Sequence, residues 1–327
     1  LAADSYDDYL ERFPHDRKLY ELTYYLAECQ YYSQQFMKAA DGYSWVRDST
    51  MDTKFMEQAA LSAVLSYENQ LKFEEIQGKR EPLTIMKSTE RPKGEEVQVQ
   101  PLGPLHRKLV NASDEYVTRV PSGEDVPTVM YKSAQILYAY DHFDDARDRF
   151  WRVIDLFPGH DVASYASNLI IESYLIEAKW KEVEKVATKL MKRPLKGKDK
   201  DFRTSMKKFK AGAVFMTATE LDQQGKYEKA AVQYLRLVEE LKGNEFEDRA
   251  LNNAAIAYEK SRRFDSASRL YQRLAKEHPD SPLADNAIFR VGLNAERFFD
   301  FKKAVRSYLK LVEDYPQSPK RADALYN

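Results

Sequence analysis

The chain has 327 residues, a length that fits about two domains or one long array of repeats. Its 51 Lys and Arg residues balance 52 Asp and Glu residues, so its overall charge gives no general attraction to nucleic acid or acidic membranes. Cys29 is the only cysteine, which excludes an intramolecular disulfide, and no apolar run is long enough to span a membrane. The low glycine count, 11, favours helices over a glycine-turned α/β enzyme fold.

The first predicted helix covers residues 4–14, where Tyr6 stands eight residues before Pro14. The same spacing recurs near the other end of the chain, between Tyr308 and Pro316. We therefore expect residues 4–14 to be the second helix of a repeat whose first helix precedes this sequence. A first full repeat is then predicted over residues 15–51.

The second repeat is predicted to be interrupted. It begins with the apolar-periodic stretch 55–71 and resumes with a helix over 104–119. Between them, residues 76–103 carry three prolines and three glycines and show no helical period, which predicts a long inserted loop. Two states of this loop are open: a mobile segment that proteases cut first, or an ordered strap that its apolar residues hold against the helices. Those apolar residues are Leu83, Ile85, Met86, Val97 and Val99.

Five further repeats follow, and the sequence ends within the first turns of an eighth at 320–327. The fifth repeat contains an additional insertion, "LKGKDKDFRTSM". The predicted third to seventh repeats are residues 122–158, 159–194, 195–243, 244–279 and 280–316.

The repeat is visible as an aromatic residue that recurs every 37 positions between Phe143 and Phe301, apart from one ten-residue insertion, and that appears again much earlier at Phe36. Small or aliphatic residues follow it by three positions and large apolar residues by seven and ten, which is the spacing of one helix face. A small residue nine positions earlier predicts a preceding helix that approaches closely. Each unit is therefore predicted to be two antiparallel helices, with the aromatic residue at the start of the second. The aromatic residues are Phe36, Phe143, Trp180, Tyr227, Phe264 and Phe301.

The stretches "HPDSP" and "YPQSP", which stand 37 residues apart, are predicted to join successive units. Pro279 and Pro316 would end a second helix, because proline lacks the backbone donor that a helix interior needs. In the first stretch, Ser281 would cap the next helix and Pro282 would lie in its first turn.

The order small residue, aromatic, alanine, aromatic, aliphatic and proline resembles the tetratricopeptide repeat, whose period is 34 residues. The resemblance implies an all-α fold: a right-handed superhelical solenoid of about seven helix-turn-helix units with a long inserted loop. The chain is accordingly divided into N-terminal units over 1–75, the inserted loop 76–103, and further units over 104–327. In this reading the aromatic stripes form the core, because an isolated repeat must stack on its neighbours.

Patterns that would indicate catalysis or metal binding are absent from the sequence. The five histidines form no HExxH motif or other ligand spacing, and no Walker loop, G-x-S-x-G or G-x-G-x-x-G motif occurs. The acidic stretch 141–145 lacks the glycine and the spacing of a calcium loop. We therefore expect no enzyme activity, no cofactor and no metal.

By the resemblance, the first helix of each unit lines a concave groove that holds other proteins or peptide segments. Aromatic residues in such a groove provide apolar area with a polar tip, as interface anchors do, although several could instead pack between neighbouring units. The lysines with which chaperone-binding members hold a terminal carboxylate are missing from the matching positions. The predicted partner-binding residues are Tyr24, Tyr31, Tyr32, Tyr131, Tyr138, Asn168, Phe215 and Asn252.

Basic residues are concentrated in residues 179–210, where 13 Lys and Arg face 4 Asp and Glu. A solvated helix face would explain this charge, and an acidic partner is the sharper alternative. No pair of polar residues recurs with the repeat as in helical arrays that read RNA bases, so we expect no nucleic-acid partner.

The 37-residue period and the Y-P-x-S-P joint are similar to those of bacterial envelope proteins: the Tol-Pal-associated coordinator and the lipoproteins of outer-membrane barrel assembly. The interrupted long array also resembles repeat proteins of gliding motility. These resemblances imply a non-catalytic scaffold in the periplasm or at the outer membrane. A cytoplasmic adaptor or co-chaperone, the interaction domain of a larger enzyme, and a nucleic-acid binder remain as alternatives.

Overall fold

The computed structural model describes residues 2–92, 96–193 and 199–327, with the side chains of residues 199 and 200 excluded. These residues form helices and connecting turns, without a β-strand among them. The all-helical repeat fold that the sequence predicts is confirmed. The helices are α1 (Ala2–Arg12), α2 (Leu19–Tyr32), α3 (Phe36–Asp48), α4 (Met56–Ile76), α5 (Pro104–Arg119), α6 (Val126–Ala139), α7 (Phe143–Leu156), α8 (Asp161–Ile176), α9 (Trp180–Met191), α10 (Asp199–Gln223), α11 (Tyr227–Glu240), α12 (Glu247–Lys260), α13 (Phe264–Glu277), α14 (Ala284–Glu296), α15 (Phe301–Asp314) and α16 (Arg321–Tyr326).

The aromatic residues of the repeat mark where the second helix of each unit starts. Each of the six aromatics predicted for this role is the first residue of its helix, from Phe36 in α3 to Phe301 in α15. The alanines three positions later are buried: Ala230 and Ala267 are inaccessible to solvent and Ala304 nearly so. The periodic pattern therefore located both the helices and their packed faces.

The described helices form two compact bodies, here called the N-terminal body (α1–α8) and the C-terminal body (α9–α16). Within each body every helix packs against the next helix along the chain. In the C-terminal body, one continuous core joins Tyr234, Tyr271 and the small residues of α12 and α14. In the N-terminal body, Tyr20 and Tyr43 are buried between α2, α3 and α4.

The turn between the two helices of a unit repeatedly contains a residue in the left-handed backbone conformation. The amide of Arg262 bonds the carbonyl of Glu259, and the next amide bonds the carbonyl of Tyr258, which together close the end of α12. Glycine adopts this backbone most easily, yet only the turn at Gly225 has glycine there. The other left-handed residues at this position are Gln34, Asp141, Ala178, Arg262 and Phe299, with φ between 52° and 63°.

The joints between units differ in detail from the prediction. Pro279 follows the end of α13 as expected, but α14 begins only at Ala284, so Ser281 is not its N-cap and Pro282 is not in its first turn. Instead the Ser281 hydroxyl accepts a bond from the amide of Leu283 and so stabilises the turn before the helix. The Ser281 hydroxyl therefore stabilises the chain two residues before Leu283, the N-cap residue of α14.

The second insertion is helical in its described part. Residues 199–206 form the first turns of α10, which is 25 residues long, whereas residues 195–198 lie outside the described residues. Phe202 and Met206 are buried, and α10 packs along α9. The insertion thus lengthens the first helix of its unit, because it supplies apolar residues at positions 202 and 206, one helical turn apart.

Candidate functional site

The inserted segment between α4 and α5 contacts the first helices of the next two units. We call residues 77–103 the strap; it is non-helical over its described residues, 77–92 and 96–103. It leaves α4 through Gly78, whose φ of 65° favours glycine. Arg80 then pairs with Glu74 at the end of α4, with Nε 3.1 Å from the carboxylate. The strap is thereby held against the helix that it has just left.

The strap meets α6 at Tyr138. The Tyr138 hydroxyl donates a hydrogen bond to the carbonyl of Met86 at 3.0 Å, and its ring packs edge-on against Phe143, 5.1 Å between centroids. The Tyr138 side chain is completely buried. Burial, together with the nearby Glu172 carboxylate, raises the pKa of Tyr138 above the usual tyrosine range, so its hydroxyl stays protonated and remains a donor.

The strap meets α8 at Glu172. One carboxylate oxygen of Glu172 accepts two hydrogen bonds from Ser88, from the amide at 2.9 Å and from the hydroxyl at 2.7 Å. Hydrogen bonds to a charged acceptor are stronger than those between neutral groups. Because the amide belongs to the backbone and the hydroxyl to the side chain, Glu172 recognises both the course of the strap and the residue type at position 88.

Arg91 forms the third attachment. Its guanidinium pairs with the carboxylate of Asp141, with Nη1 3.1 Å from Oδ2, and lies over the Phe143 ring at 5.5 Å. Asp141 is the left-handed residue of the turn between α6 and α7. The Asp141 side chain is only 13% exposed and that of Arg91 20%, so this pair is shielded from solvent more than an ordinary surface ion pair.

The strap returns to α5 past the end of α6. The amide of Gln100 donates to the carbonyl of Tyr140 at 2.9 Å, and the Gln100 carbonyl lies 2.8 Å from Nε2 of His142. The Tyr140 hydroxyl is in turn 2.8 Å from Nδ1 of His106, which is buried in the first turns of α5. Burial, reinforced by the charge of Arg80, lowers the pKa of His106 below its ordinary value.

These contacts bear on the two alternatives for residues 76–103. The bonds at Met86, Ser88 and Arg91 favour the ordered strap over the mobile loop. They also occupy one predicted partner-binding residue, Tyr138, which a partner could reach only if the strap moved. Sequence reasoning did not find Ser88, Glu172, Arg91 and Asp141 as a bonded set. Its signal for an ordered strap was the apolar character of Leu83, Ile85, Met86, Val97 and Val99.

The remaining predicted residues of α6 and α8 are Tyr131 and Asn168. Tyr131 is half-buried against Phe150 and Tyr165 and accepts a bond from Gln135 at 3.1 Å. Burial raises the pKa of Tyr131 to about 12. Asn168 is half-buried on α8. The Tyr131 ring thus packs against its neighbours and remains partly exposed to solvent.

The predicted tyrosines of α2 divide into packed and open residues. Tyr24 stacks on Phe55 at 4.2 Å between centroids, and burial raises its pKa to about 12. Tyr31 accepts a hydrogen bond from Asn69 of α4 at 2.6 Å. Both residues therefore link neighbouring units. Tyr32 is 78% exposed and is the one of the three that a partner could contact without repacking.

The predicted residues of the C-terminal body, Phe215 and Asn252, are also partly or wholly covered. Phe215 stacks on Phe246 at 5.4 Å and lies beneath the guanidinium of Arg249. Asn252 is only 8% exposed, and its carbonyl oxygen has no hydrogen-bond partner among the described residues. Phe215 therefore packs between units, whereas Asn252 keeps an unused acceptor.

The basic region borders a cleft between the start of α10 and the turn from α11 to α12. Exposed lysines Lys207, Lys208 and Lys242 line this cleft of about 340 Å³, together with Glu240 and Glu245. Residues 194–198 of the basic region lie outside the described residues. An acidic partner for 179–210 stays a prediction.

Within the described ranges, no group of three or more His, Cys, Asp and Glu side chains is arranged to hold a metal ion. Cys29 is half-buried in α2. The same ranges contain no helix that is both long enough and apolar enough to cross a bilayer.

Comparison with known proteins identifies two of the units directly. The sequence profile of the tetratricopeptide repeat matches residues 249–281 and 286–318, which cover most of α12 and α14, all of α13 and α15, and the first four residues of each joint. None of the curated protein sequences compared with the chain matches it.

Solved structures of similar architecture include several repeat proteins. YrrB, described as a repeat protein with an unusual peptide-binding site, is 14% identical over 66% of this chain and 100% of its own, with a TM-score of 0.33. The TPR2AB domain of yeast Sti1, in a pHSP90 complex, is 10% identical over 94% of this chain and 95% of its own, with a TM-score of 0.36. The C-terminal part of a repeat protein from Cytophaga hutchinsonii is 9% identical over 92% and 99%, with a TM-score of 0.33. Likeness at this level concerns the helical fold and indicates no partner.

Proposed function

We propose that this tetratricopeptide-type helical array is a non-catalytic scaffold that binds extended segments of other proteins along the first helices of its units. The observation that supports this proposal most directly is the strap. Groove-side residues of α6 and α8 already hold an extended stretch of polypeptide, through the Met86 carbonyl and the Ser88 amide. Side chains that satisfy backbone groups of one segment have the chemistry to bind another.

Site-specific photocrosslinking tests the scaffold function in cells that produce the full-length protein. A crosslinker at exposed Tyr32 should capture one recurrent protein, whereas crosslinkers at Val232 and Leu309, which are exposed on second helices, should not. The groove positions lie on first helices, so equal capture from both kinds of position would contradict the proposal. Elemental analysis of the purified protein should also show no stoichiometric transition metal, since the scaffold needs none.

We further propose that the scaffold serves a bacterial envelope complex, such as a motility or outer-membrane assembly machine. The support is the Y-P-x-S-P joint at 315–319 and the 37-residue period, which resemble those of envelope proteins. Fractionation of cells that carry the full-length protein tests this: it should be found in the periplasm or with the outer membrane. Recovery in the cytosol would instead support the cytoplasmic adaptor.

The lysine-lined cleft of the C-terminal body supports an acidic partner as an additional proposal. Lys207 and Lys208 are exposed on α10 and face Lys242 across the cleft. An acidic peptide should therefore bind with an affinity that falls as salt increases, and the variant K207E/K208E should lose most of that binding. Binding that is unchanged in this variant would exclude the cleft.

A further inference from the structure

The strap is attached through half-buried side chains that recur every two or three residues. Within residues 83–91, the half-buried residues are Leu83, Ile85, Ser88 and Arg91, and the residues between them are exposed. Successive side chains of an extended chain point to opposite sides, so Leu83 and Ile85 share the side that faces the helices. The groove therefore reads particular positions of the strap and leaves the rest free to vary.

We propose that the N-terminal body binds, from a partner protein, an extended segment with the chemistry of its own strap. This segment has two alternating apolar residues, a serine or threonine three positions after the second, and an arginine three positions after the hydroxyl residue. The inference rests on the proposed scaffold function and names the class of partner for one of its grooves. The strap is then an internal occupant that a partner segment replaces.

The backbone contacts explain why a second polypeptide fits. Tyr138 bonds a carbonyl and Glu172 bonds an amide, and every peptide segment offers these groups except at proline. Tyr138 and Glu172 stay in place on helices α6 and α8 whichever segment lies between them. A partner segment that takes the same course satisfies the same two bonds.

The side-chain contacts explain why the segment is of a particular class. Glu172 accepts the Ser88 hydroxyl, and removal of that hydroxyl would leave the carboxylate with one bond fewer. Asp141 pairs with Arg91 while the Phe143 ring supports the guanidinium, an arrangement that suits planar Arg better than Lys. The two carboxylates also make the groove unfavourable for an acidic segment.

The strap competes with any such segment because it belongs to the same chain. A tethered segment has an effective concentration in the millimolar range. A free peptide with the same intrinsic affinity for the groove therefore binds the intact protein weakly. An increase in affinity when the strap is removed is therefore the diagnostic result.

The test uses a variant in which residues 83–92 are replaced by ten Gly and Ser residues, so that the reach of the connection is unchanged. The probe is a fluorescent peptide with the sequence of residues 83–92, LTIMKSTERP. It should bind the strap-replaced protein saturably and the intact protein at least about tenfold more weakly. A peptide in which the residues corresponding to Ser88 and Arg91 are alanine should bind the strap-replaced protein at least about tenfold more weakly than the native peptide.

A second variant guards against failure of the replacement to fold. S88E/R91E keeps the strap but places carboxylates against Glu172 and Asp141, which should open it through like-charge repulsion. Its circular dichroism spectrum should match that of the intact protein, and it should also bind the native peptide. A matched control, T84E/K87E, changes the net charge by the same amount at exposed strap positions and should leave the strap closed.

Several outcomes would overturn the proposal. A folded strap-replaced protein that binds native and scrambled peptides equally would show that the groove does not read the strap. Unfolding of both variants would show that the strap is a structural part of the core. A strap-replaced protein that dimerises by light scattering without binding peptide would assign the groove to a second copy. If these tests fail while the Tyr32 crosslink persists, the scaffold function stands and only this inference falls.

Discussion

Ser281 donates a hydrogen bond from its hydroxyl to the carboxylate of Asp248, 33 residues earlier, at 2.7 Å. Ser318 and Asp285 repeat the bond at the next joint, at 2.5 Å and with the same separation. The two similar stretches of sequence therefore do the same structural work: each joint serine reaches back to an acidic residue in the first turns of the preceding unit's first helix.

Replacement of Ser281 by alanine should lower the free energy of unfolding by about 1 kcal/mol, because the Asp248 carboxylate loses a donor in a partly buried site. S307A is a matched control, since the Ser307 hydroxyl bonds the carbonyl of Lys303 in its own helix. Urea denaturation measures both variants. In a double-mutant cycle with D248A, the S281A substitution should have a smaller effect when Asp248 is already replaced. Simple additivity of the two changes would contradict the inter-unit bond.

Ala267 lies in a fully buried contact between the helices of the C-terminal body, so A267L should overpack it and destabilise the protein by about 1–3 kcal/mol. Ala230 and Ala304 are equivalent positions and should respond similarly. Q272L adds a leucine to an exposed position of the same helix and should be nearly neutral. Unchanged thermal stability in all three alanine variants would contradict the repeat register.

Gly292 permits a close contact between α14 and the Tyr308 ring of α15. A methyl group at this position would lie 2.3 Å from Cε1 of Tyr308, whose ring is buried. G292A should therefore destabilise the protein by about 1–3 kcal/mol, although alanine is the better helix former by about 1 kcal/mol. G212A, on the first helix of an earlier unit, is the control, because its methyl group would meet nothing closer than 3.9 Å. Stabilisation by G292A comparable to that by G212A would show that the Tyr308 ring can move aside.

Arg262 and Phe299 adopt the left-handed conformation at the turn position that Gly225 occupies in an earlier unit. Glycine removes the strain of a side chain in this conformation but makes the unfolded chain more flexible. We expect R262G and F299G each to stabilise the protein by about 0.5–1 kcal/mol, and G225A to destabilise it by a similar amount. Differential scanning calorimetry measures these shifts. Destabilisation by both glycine variants would mean that the side chains contribute more than the strain costs.

We expect His106 to make the stability of the N-terminal body depend on pH. Its pKa is lowered below 6.5 in the folded chain, so the unfolded chain takes up a proton first as the pH falls. Stability from this residue is therefore fully present above about pH 6.5 and is lost as the pH falls towards the folded-state pKa. H106Q should flatten the pH dependence in this interval. Identical profiles for H106Q and the unaltered protein would exclude this role.

Most of the fold could be predicted from the sequence because aromatic and small residues recur at fixed helical spacing. Phe36 and Phe301 lie 265 positions apart and both begin second helices, since the same packing problem is solved in each unit. The left-handed turns were not predictable in this way. Only Gly225 carries the glycine that normally signals such a turn, and residues as different as Asp141 and Phe299 occupy the same conformation.

The candidate site could be predicted only in outline. Tyr138 was recognised from its place on a first helix, but its partner is the carbonyl of Met86, a group that every residue has and that leaves no mark in a sequence. The same is true of the Ser88 amide that Glu172 accepts. A segment without periodicity can therefore be well bonded when helices supply the specific side chains and the segment supplies its backbone.

The strap continues at both ends into α4 and α5, which pack against each other. Its departure from Tyr138 and Glu172 is consequently a unimolecular step, whose rate is the same at every protein concentration. A ligand that needs those residues can enter only while the strap is away, and its apparent affinity is reduced by the fraction of time that the groove is open. The observed rate of association should then level off as ligand is increased, with a ceiling set by the opening of the strap. Stopped-flow measurements on the intact chain would give that opening rate directly.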